Sequence, residues 1–294
     1  MLTKYLFYFI ISVLVKVWGE KSWIFGVDFG LNLDEVVESL KGTYKRIKKD
    51  NSGELVYYNR KRRSGSLAYT HSTGVASLLE QKKEEQKNQL NESILNKCII
   101  AGLFHDILED TVYDEKYLKY ILEDYIKRKA PKECVDDPNF VEDILTAVKL
   151  VSKNKGVKDT EKIPEQMKGI MTKEQWKQIA IKKFNDDDEN QMREYLTNIK
   201  NNEIAILVKL ADRIDNLADF AITDPINKRG KFIKETEKYY VELAQGTMFE
   251  KDLDRVLDNA IEMFSSIYGI KYELWKNSYE QNINKKVISA NVGR

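Results

Sequence analysis

Helix breakers are scarce in this sequence. Four prolines and 14 glycines are spread over 294 residues, too few to punctuate a chain of many short strands and turns. Regular β-branched alternation is missing too, and long stretches of Lys, Glu, Leu, Ile and Asp stand in its place. Both features favour an all-α fold. Cysteine is nearly absent: Cys98 and Cys134 make no metal-ligand spacing, and Cys98, within the apolar run 98–101, reads as a small core residue. Such usage fits a reducing cytoplasm. Charge of one sign is lacking, since 48 basic side chains face 47 acidic ones. No global basic field argues for a nucleic-acid partner. There is no long hydrophobic run either. Leu6 to Val15, interrupted by Ser12 and closed by Lys16, falls far short of the ~20 residues that span a bilayer. It also lacks the flanks of a signal peptide, so it reads as a buried or interface helix. A cytoplasmic protein without a membrane span is expected, and homo-oligomerisation is left open.

What is present reads as a succession of helices: 3–18, 34–49, and then segments near 70–88, 92–109, 114–128, 140–153, 173–184, 188–200, 203–219, 229–245, 249–268 and 270–281. The stretch 51–66 carries Ser-Gly and Asn-Arg pairs and reads as a loop. Lys82 to Gln89 reads as a solvated charge run, Lys41 to Lys49 as a solvated helix face, and 153–188 as a polar insertion. The scattered Trp and Tyr residues are expected in packing. The last 70 or so residues form either a subdomain or helices laid on the main core.

Chemistry concentrates around the only two histidines. His71 opens a helix. His105 is followed directly by Asp106 within the apolar stretch Ile99 to Leu108, where an ionised carboxylate is costly without a partner. A metal ion would be such a partner. On one continuous helix, His105 with Glu109 and Asp106 with Asp110 would be i,i+4 pairs. Carboxylates at a helix C-terminus oppose the macrodipole, which suggests a role for Glu109 and Asp110. A second apolar helix, Ile204 to Asn216, delivers Asp212, with Asn216 one turn on along the same face; Asp215 is expected to point elsewhere. Two imidazoles and two carboxylates make a mixed nitrogen and oxygen site suited to Mn²⁺, Fe²⁺, Co²⁺ or Zn²⁺. Four protein ligands on an octahedral ion leave room for water and a phosphate oxygen, and Glu109 or Asp110 could orient that water or take its proton. The basic run Arg60-Lys61-Arg62-Arg63, so near His71 in a near-neutral chain, reads better as phosphate and base recognition than as a nucleic-acid patch.

The pattern His71, His105-Asp106, Asp212 resembles the HD phosphohydrolase superfamily. The surrounding words narrow the resemblance. Arg62 to His71 with Gly74-Val75-Ala76, Leu103 to Thr111, and Leu207 to Leu217 resemble, in order, three segments of the RelA/SpoT-type (p)ppGpp hydrolase domain. The resemblance covers roughly 45–220. It implies an HD-domain helical bundle with additional N- and C-terminal helices: a helical segment over 1–44, the hydrolase domain over 45–222 and a helical extension over 223–294. It implies removal of the 3′-pyrophosphate from ppGpp or pppGpp with Mn²⁺. His71, His105, Asp106 and Asp212 would be metal ligands, and Glu109 and Asp110 would handle the water. Arg62 would stack on guanine, with Arg63, Ser64 and Asn216 completing the nucleotide site. The chain departs from the family at Ser72, where proline is usual, and at Ser66-Leu67, where Glu-Pro is usual. No synthetase-like motif follows residue 220, so a hydrolase without that domain is expected. The alternatives are an HD phosphohydrolase for another nucleotide, such as a nucleoside phosphate or dinucleoside polyphosphate, and a non-catalytic nucleotide-sensing module.

Overall fold

The computed structural model describes residues 45–49, 55–59, 69–86, 91–110, 115–129, 134, 136–152, 190–219 and 224–292. The expected helices at 3–18 and 173–184 and the whole polar insertion over 153–188 lie outside the described residues.

The fold is an all-α bundle preceded by one two-stranded ribbon. Strands β1 (Lys45–Lys49) and β2 (Leu55–Asn59) pair antiparallel, with Lys45 opposite Asn59 and Lys49 opposite Leu55. This corrects two expectations, a helix running to Lys49 and a loop throughout 51–66. Leu55-Val56-Tyr57-Tyr58 is rich in residues that suit a strand, and Ser52-Gly53 ahead of it suits a turn. The charge of Lys45 to Lys49 masked the pairing.

Helices α1 (Tyr69–Glu85), α2 (Glu92–Phe104), the single turn α3 (Ile107–Asp110), α4 (Glu115–Lys129) and α5 (Phe140–Val151) follow. Then come α6 (190–200) and α7 (Glu203–Ala218). Asn91 and Asn202 cap α2 and α7, each accepting from a backbone N–H at 2.9 Å. α2 is apolar on nearly every side and is buried from Leu95 to Phe104. α7 packs at once against α1, α2, α5 and the later helix α9 (Glu250–Tyr268). Its Ala205, Val208, Leu210 and Ala211 are fully buried. The charge run is less solvated than expected where it forms the last turn of α1. Lys83 Nζ sits 2.9 Å from both Asn96 Oδ1 and Glu92, and Lys82 lies 2.6 Å from Asp252 on α9.

The C-terminal helices lie on the same core. α8 (Ile226–Glu235) passes through a π turn (Thr236–Tyr240) into Val241–Ala244, followed by α9 (Glu250–Tyr268) and α10 (Tyr272–Val292). Gly269, with φ +65°, ends α9 in the left-handed conformation that glycine adopts without steric cost. Tyr240, Tyr272 and Trp275 are buried, as expected of packing aromatics. Cys98 is fully buried. No described helix is long and apolar enough to cross a membrane.

One cation ties this layer to the end of α7. Arg229 on α8 donates from Nη2 to the Asp219 carbonyl at 3.0 Å and to Asp224 Oδ2 at 2.9 Å, and from Nη1 to the Asn216 carbonyl at 3.4 Å. It caps the closing carbonyls of α7 and neutralises a buried carboxylate. Arg229→Ala removes the cap and leaves Lys228, 3.1 Å from the other Asp224 oxygen, as a cation on that carboxylate, so urea unfolding should show a loss of about 2 kcal/mol; a loss below half that would mean the cap is dispensable.

Candidate metal centre

Three helices meet where the expected ligands lie. His71 stands on the first turns of α1, His105 closes α2, Asp106 follows it, and Asp212 is on the third turn of α7. Close packing of α1 on α2 depends on Gly102, where a Cβ would come within 2.8 Å of Leu79 and 3.2 Å of Val75. α2 does not continue through the His-Asp pair as expected. It stops at Phe104, His105 and Asp106 form a turn, and α3 restarts with the Glu109 N–H on the Asp106 carbonyl at 3.1 Å. The i,i+4 rows drawn across this point therefore do not exist. The break lets both His105 and Asp106 turn toward α1 and α7.

Each imidazole has its Nδ1 committed outward. His105 Nδ1–H donates to the Gly102 carbonyl at 2.7 Å, and His71 Nδ1–H donates to Asp215 Oδ2 at 2.6 Å. Both Nε2 atoms therefore face the same spot, 3.2 Å apart. Asp212 Oδ1 lies 3.0 Å from Nε2 of His71 and 3.7 Å from that of His105. Asp106 lies 3.3 Å from His105 Nε2 and 3.7 Å from His71 Nε2. Neighbouring donors bound ~2.1 Å from one ion sit about 3 Å apart in an octahedral shell, close to these spacings. His71, His105 and Asp106 group tightly enough to share an ion, and Asp212 Oδ1 lies beside both imidazoles. Asp106 is the most open of the four, with its side chain 27% exposed, so solvent reaches the cluster on that side.

The electrostatics also call for a cation. Among the described residues, Asp106, Asp212 and Asp215 are three carboxylates beside the ammonium of Lys209, which is 2.7 Å from Asp212 Oδ2. Burial opposes charge on Asp212, yet Lys209 and the imidazoles hold it ionised, well below the usual carboxylate range. Burial likewise opposes charge on Asp106, but His105 keeps its pKa down at about 2. For His71, burial is outweighed by hydrogen bonds and charge from Asp212 and Asp215, which push it up to about 10. His105 is raised as well, against its burial, by Asp106 and Asp212. A proton or a metal ion bound here would balance the excess of negative charge among the described residues. The donors fit a divalent ion of the Mn²⁺ to Zn²⁺ range.

Asn216, expected at the nucleotide site, is half-buried beside this cluster; its Nδ2 donates to the Asp212 carbonyl at 3.0 Å and also to Asp212 Oδ1. Glu109 is half-buried on α3. Arg62, Arg63, Ser64 and the Asp110 side chain lie outside the described residues. Two neighbours were missed. Asp215 does not point elsewhere but bonds to His71, and Lys209 pairs with Asp212. The signal was available: 209, 212 and 215 are successive i,i+3 positions on one helix.

Residues 68–217 match the family model described as the HD domain. No curated protein matches the sequence. A solved structure described as "A metazoan ortholog of SpoT hydrolyzes ppGpp and plays a role in starvation responses" is 16% identical, with 76% of this chain and 93% of that one covered and a TM-score of 0.43.

The raised His71 gives a pH test with opposite signs for two forms of the protein. Its folded pKa, about 10, exceeds its unfolded value of 6.5. Its contribution to the metal-free fold is thus complete below pH 6.5 and is lost as pH rises to 10. A metal must displace that proton, so its binding strengthens over the same window. The metal-free Tm should fall with pH while the Tm gain on adding Mn²⁺ grows; parallel pH profiles for the two forms would remove His71 from the centre.

Proposed function

The chain belongs to the HD-domain family of metal-dependent phosphohydrolases, and on that premise we propose that it hydrolyses the 3′-pyrophosphate of ppGpp and pppGpp, giving GDP or GTP and pyrophosphate. The observation that carries the hydrolase reading is the convergence of His71, His105, Asp106 and Asp212 on one point. The choice of substrate and of Mn²⁺ is supported by the three sequence segments that resemble the RelA/SpoT-type domain.

In this reading the two Nε2 atoms and one oxygen each from Asp106 and Asp212 would hold the ion. Lys209 bonds to the other oxygen of Asp212 and holds that carboxylate in place. When bound, the ion lowers the pKa of water and polarises the phosphoryl group. Glu109 or Asp110 orients the attacking water and accepts its proton. The water oxygen forms a bond to the 3′-phosphorus as the bond to the ribose 3′-oxygen breaks. That oxygen leaves with a proton, completing the nucleoside diphosphate or triphosphate. Arg62 stacks its planar guanidinium on guanine, Arg63 and Ser64 bind phosphate and ribose, and Asn216 reaches the nucleoside from α7.

Purified protein incubated with Mn²⁺ and ppGpp should release GDP and pyrophosphate. Turnover of a different nucleotide alone would transfer the proposal to a different substrate, and no turnover of any nucleotide would favour a sensing module. Asp106→Ala should abolish Mn²⁺ binding and activity together. Arg62→Ala should raise KM about 10-fold or more, as loss of a desolvated stacking contact worth ~2 kcal/mol implies; an unchanged KM would remove Arg62 from the base site.

A further inference from the structure

We propose that Asp215 is a positioning residue for this centre, holding the His71 ring so that Nε2 presents its lone pair to the ion, and that Gly74 is the residue that leaves room for it. The inference rests on the metal-site reading above.

The geometry comes from two helices. Asp212 and Asp215 lie three residues apart on α7 and approach the same imidazole from opposite edges. Asp212 Oδ1 is 3.0 Å from Nε2, and Asp215 Oδ2 is 2.6 Å from Nδ1. A charged carboxylate accepting from Nδ1–H fixes one tautomer and makes the other nitrogen a better donor to a metal. His105 is held differently, by the neutral Gly102 carbonyl one helical turn away. The two imidazoles therefore differ: His105 is oriented by its own main chain, His71 by a side chain on another helix.

Gly74 explains how that side chain gets in. It lies three residues after His71 on α1, facing α7. A Cβ there would stand 2.4 Å from Asp215 Oδ1 and 3.2 Å from its carboxyl carbon. The carboxylate would have to shift or turn, and its bond to His71 through the other oxygen would be disturbed. Glycine within a helix costs about 1 kcal/mol relative to alanine, so on backbone grounds alone Gly74→Ala should stabilise α1. The side-chain geometry predicts damage to the centre instead.

Two variants test this without touching a proposed ligand. Asp215→Asn keeps the size of the side chain but lets its amide face His71 and favour the wrong tautomer. Gly74→Ala keeps Asp215 and displaces it. Mn²⁺ titration of the metal-free protein should show affinity weakened ~10–100-fold in both, with kcat falling and nucleotide KM little changed. The chain has only two histidines, so imidazole ¹⁵N spectra of the Zn²⁺-loaded protein report each ring. The His71 Nδ1 signal should move in both variants and that of His105 should stay. Wild-type Mn²⁺ affinity and an unmoved His71 signal in either folded variant would overturn the proposal. The metal-site reading fails separately, if wild-type protein binds no divalent metal or His71→Ala binds it unchanged, and the proposal then falls with it.

Discussion

Two imidazole nitrogens 3.2 Å apart, each with its lone pair aimed inward and carboxylate oxygens around them, repel one another unless a positive charge lies between them. A protein interior magnifies that repulsion, because low polarity leaves buried charge poorly screened. The helices around the cluster exist in an arrangement that tolerates this only because a proton or a divalent ion can satisfy it. The chain spends much of its packing on the point. Around the cluster α1, α2 and α7 meet largely through apolar side chains, among them Ala76, Leu79, Ala101, Ala205 and Ala211.

α7 carries most of the electrostatic arrangement. Successive inward positions present Lys209, Asp212, Asp215 and Asn216, so one rigid element sets a ligand, its counter-charge, the clamp on His71 and a neighbouring amide. Such an element must not slide. Arg229 holds its last carbonyls from α8, and Arg213 is gripped between Phe232 and Tyr240, with centroid distances of 4.1 and 3.7 Å, while pairing with Glu235. The π turn at Thr236–Tyr240 brings the Tyr240 ring to that cation. The C-terminal helices thus contribute to the centre without reaching it, by fixing the helix that does.

Much of this could be read from residue order. Long apolar-periodic segments with few breakers gave the helices, since 3.6-residue periodicity survives local detail. His71, His105, Asp106 and Asp212 stood out because polar groups inside apolar helices need a reason. The parts that escaped depend on local backbone chemistry or on neighbours distant in sequence. The stop after Phe104 leaves no proline or glycine as a marker, so the helix seemed to run on to Glu109. β1 and β2 specify each other by pairing, and the lysines of β1 look helical when read alone. Asp215 was misjudged because strict one-turn spacing from Asp212 selects Asn216, whereas i+3 also shares the face. Gly74 carried no message until Asp215 was seen opposite it.

The same arithmetic bears on folding. Asp106 and Asp212 are ionised in the fold although burial disfavours it, and without a metal their compensation rests on Lys209 and on protons held by the imidazoles. At neutral pH those protons come from solvent, and part of the stability of the fold is then conditional on keeping them. An ion that binds only the folded chain adds about 2.7 kcal/mol when present at 100 times its dissociation constant, comparable to a buried ion pair. It also removes the need for the imidazole protons. The metal is therefore expected to act on the whole bundle, since the helices it joins, α1, α2 and α7, are the ones on which α5 and α9 pack. Catalytic chemistry and cohesion of the core meet in one cluster of acceptors, and a change that loosens the cluster is felt in both.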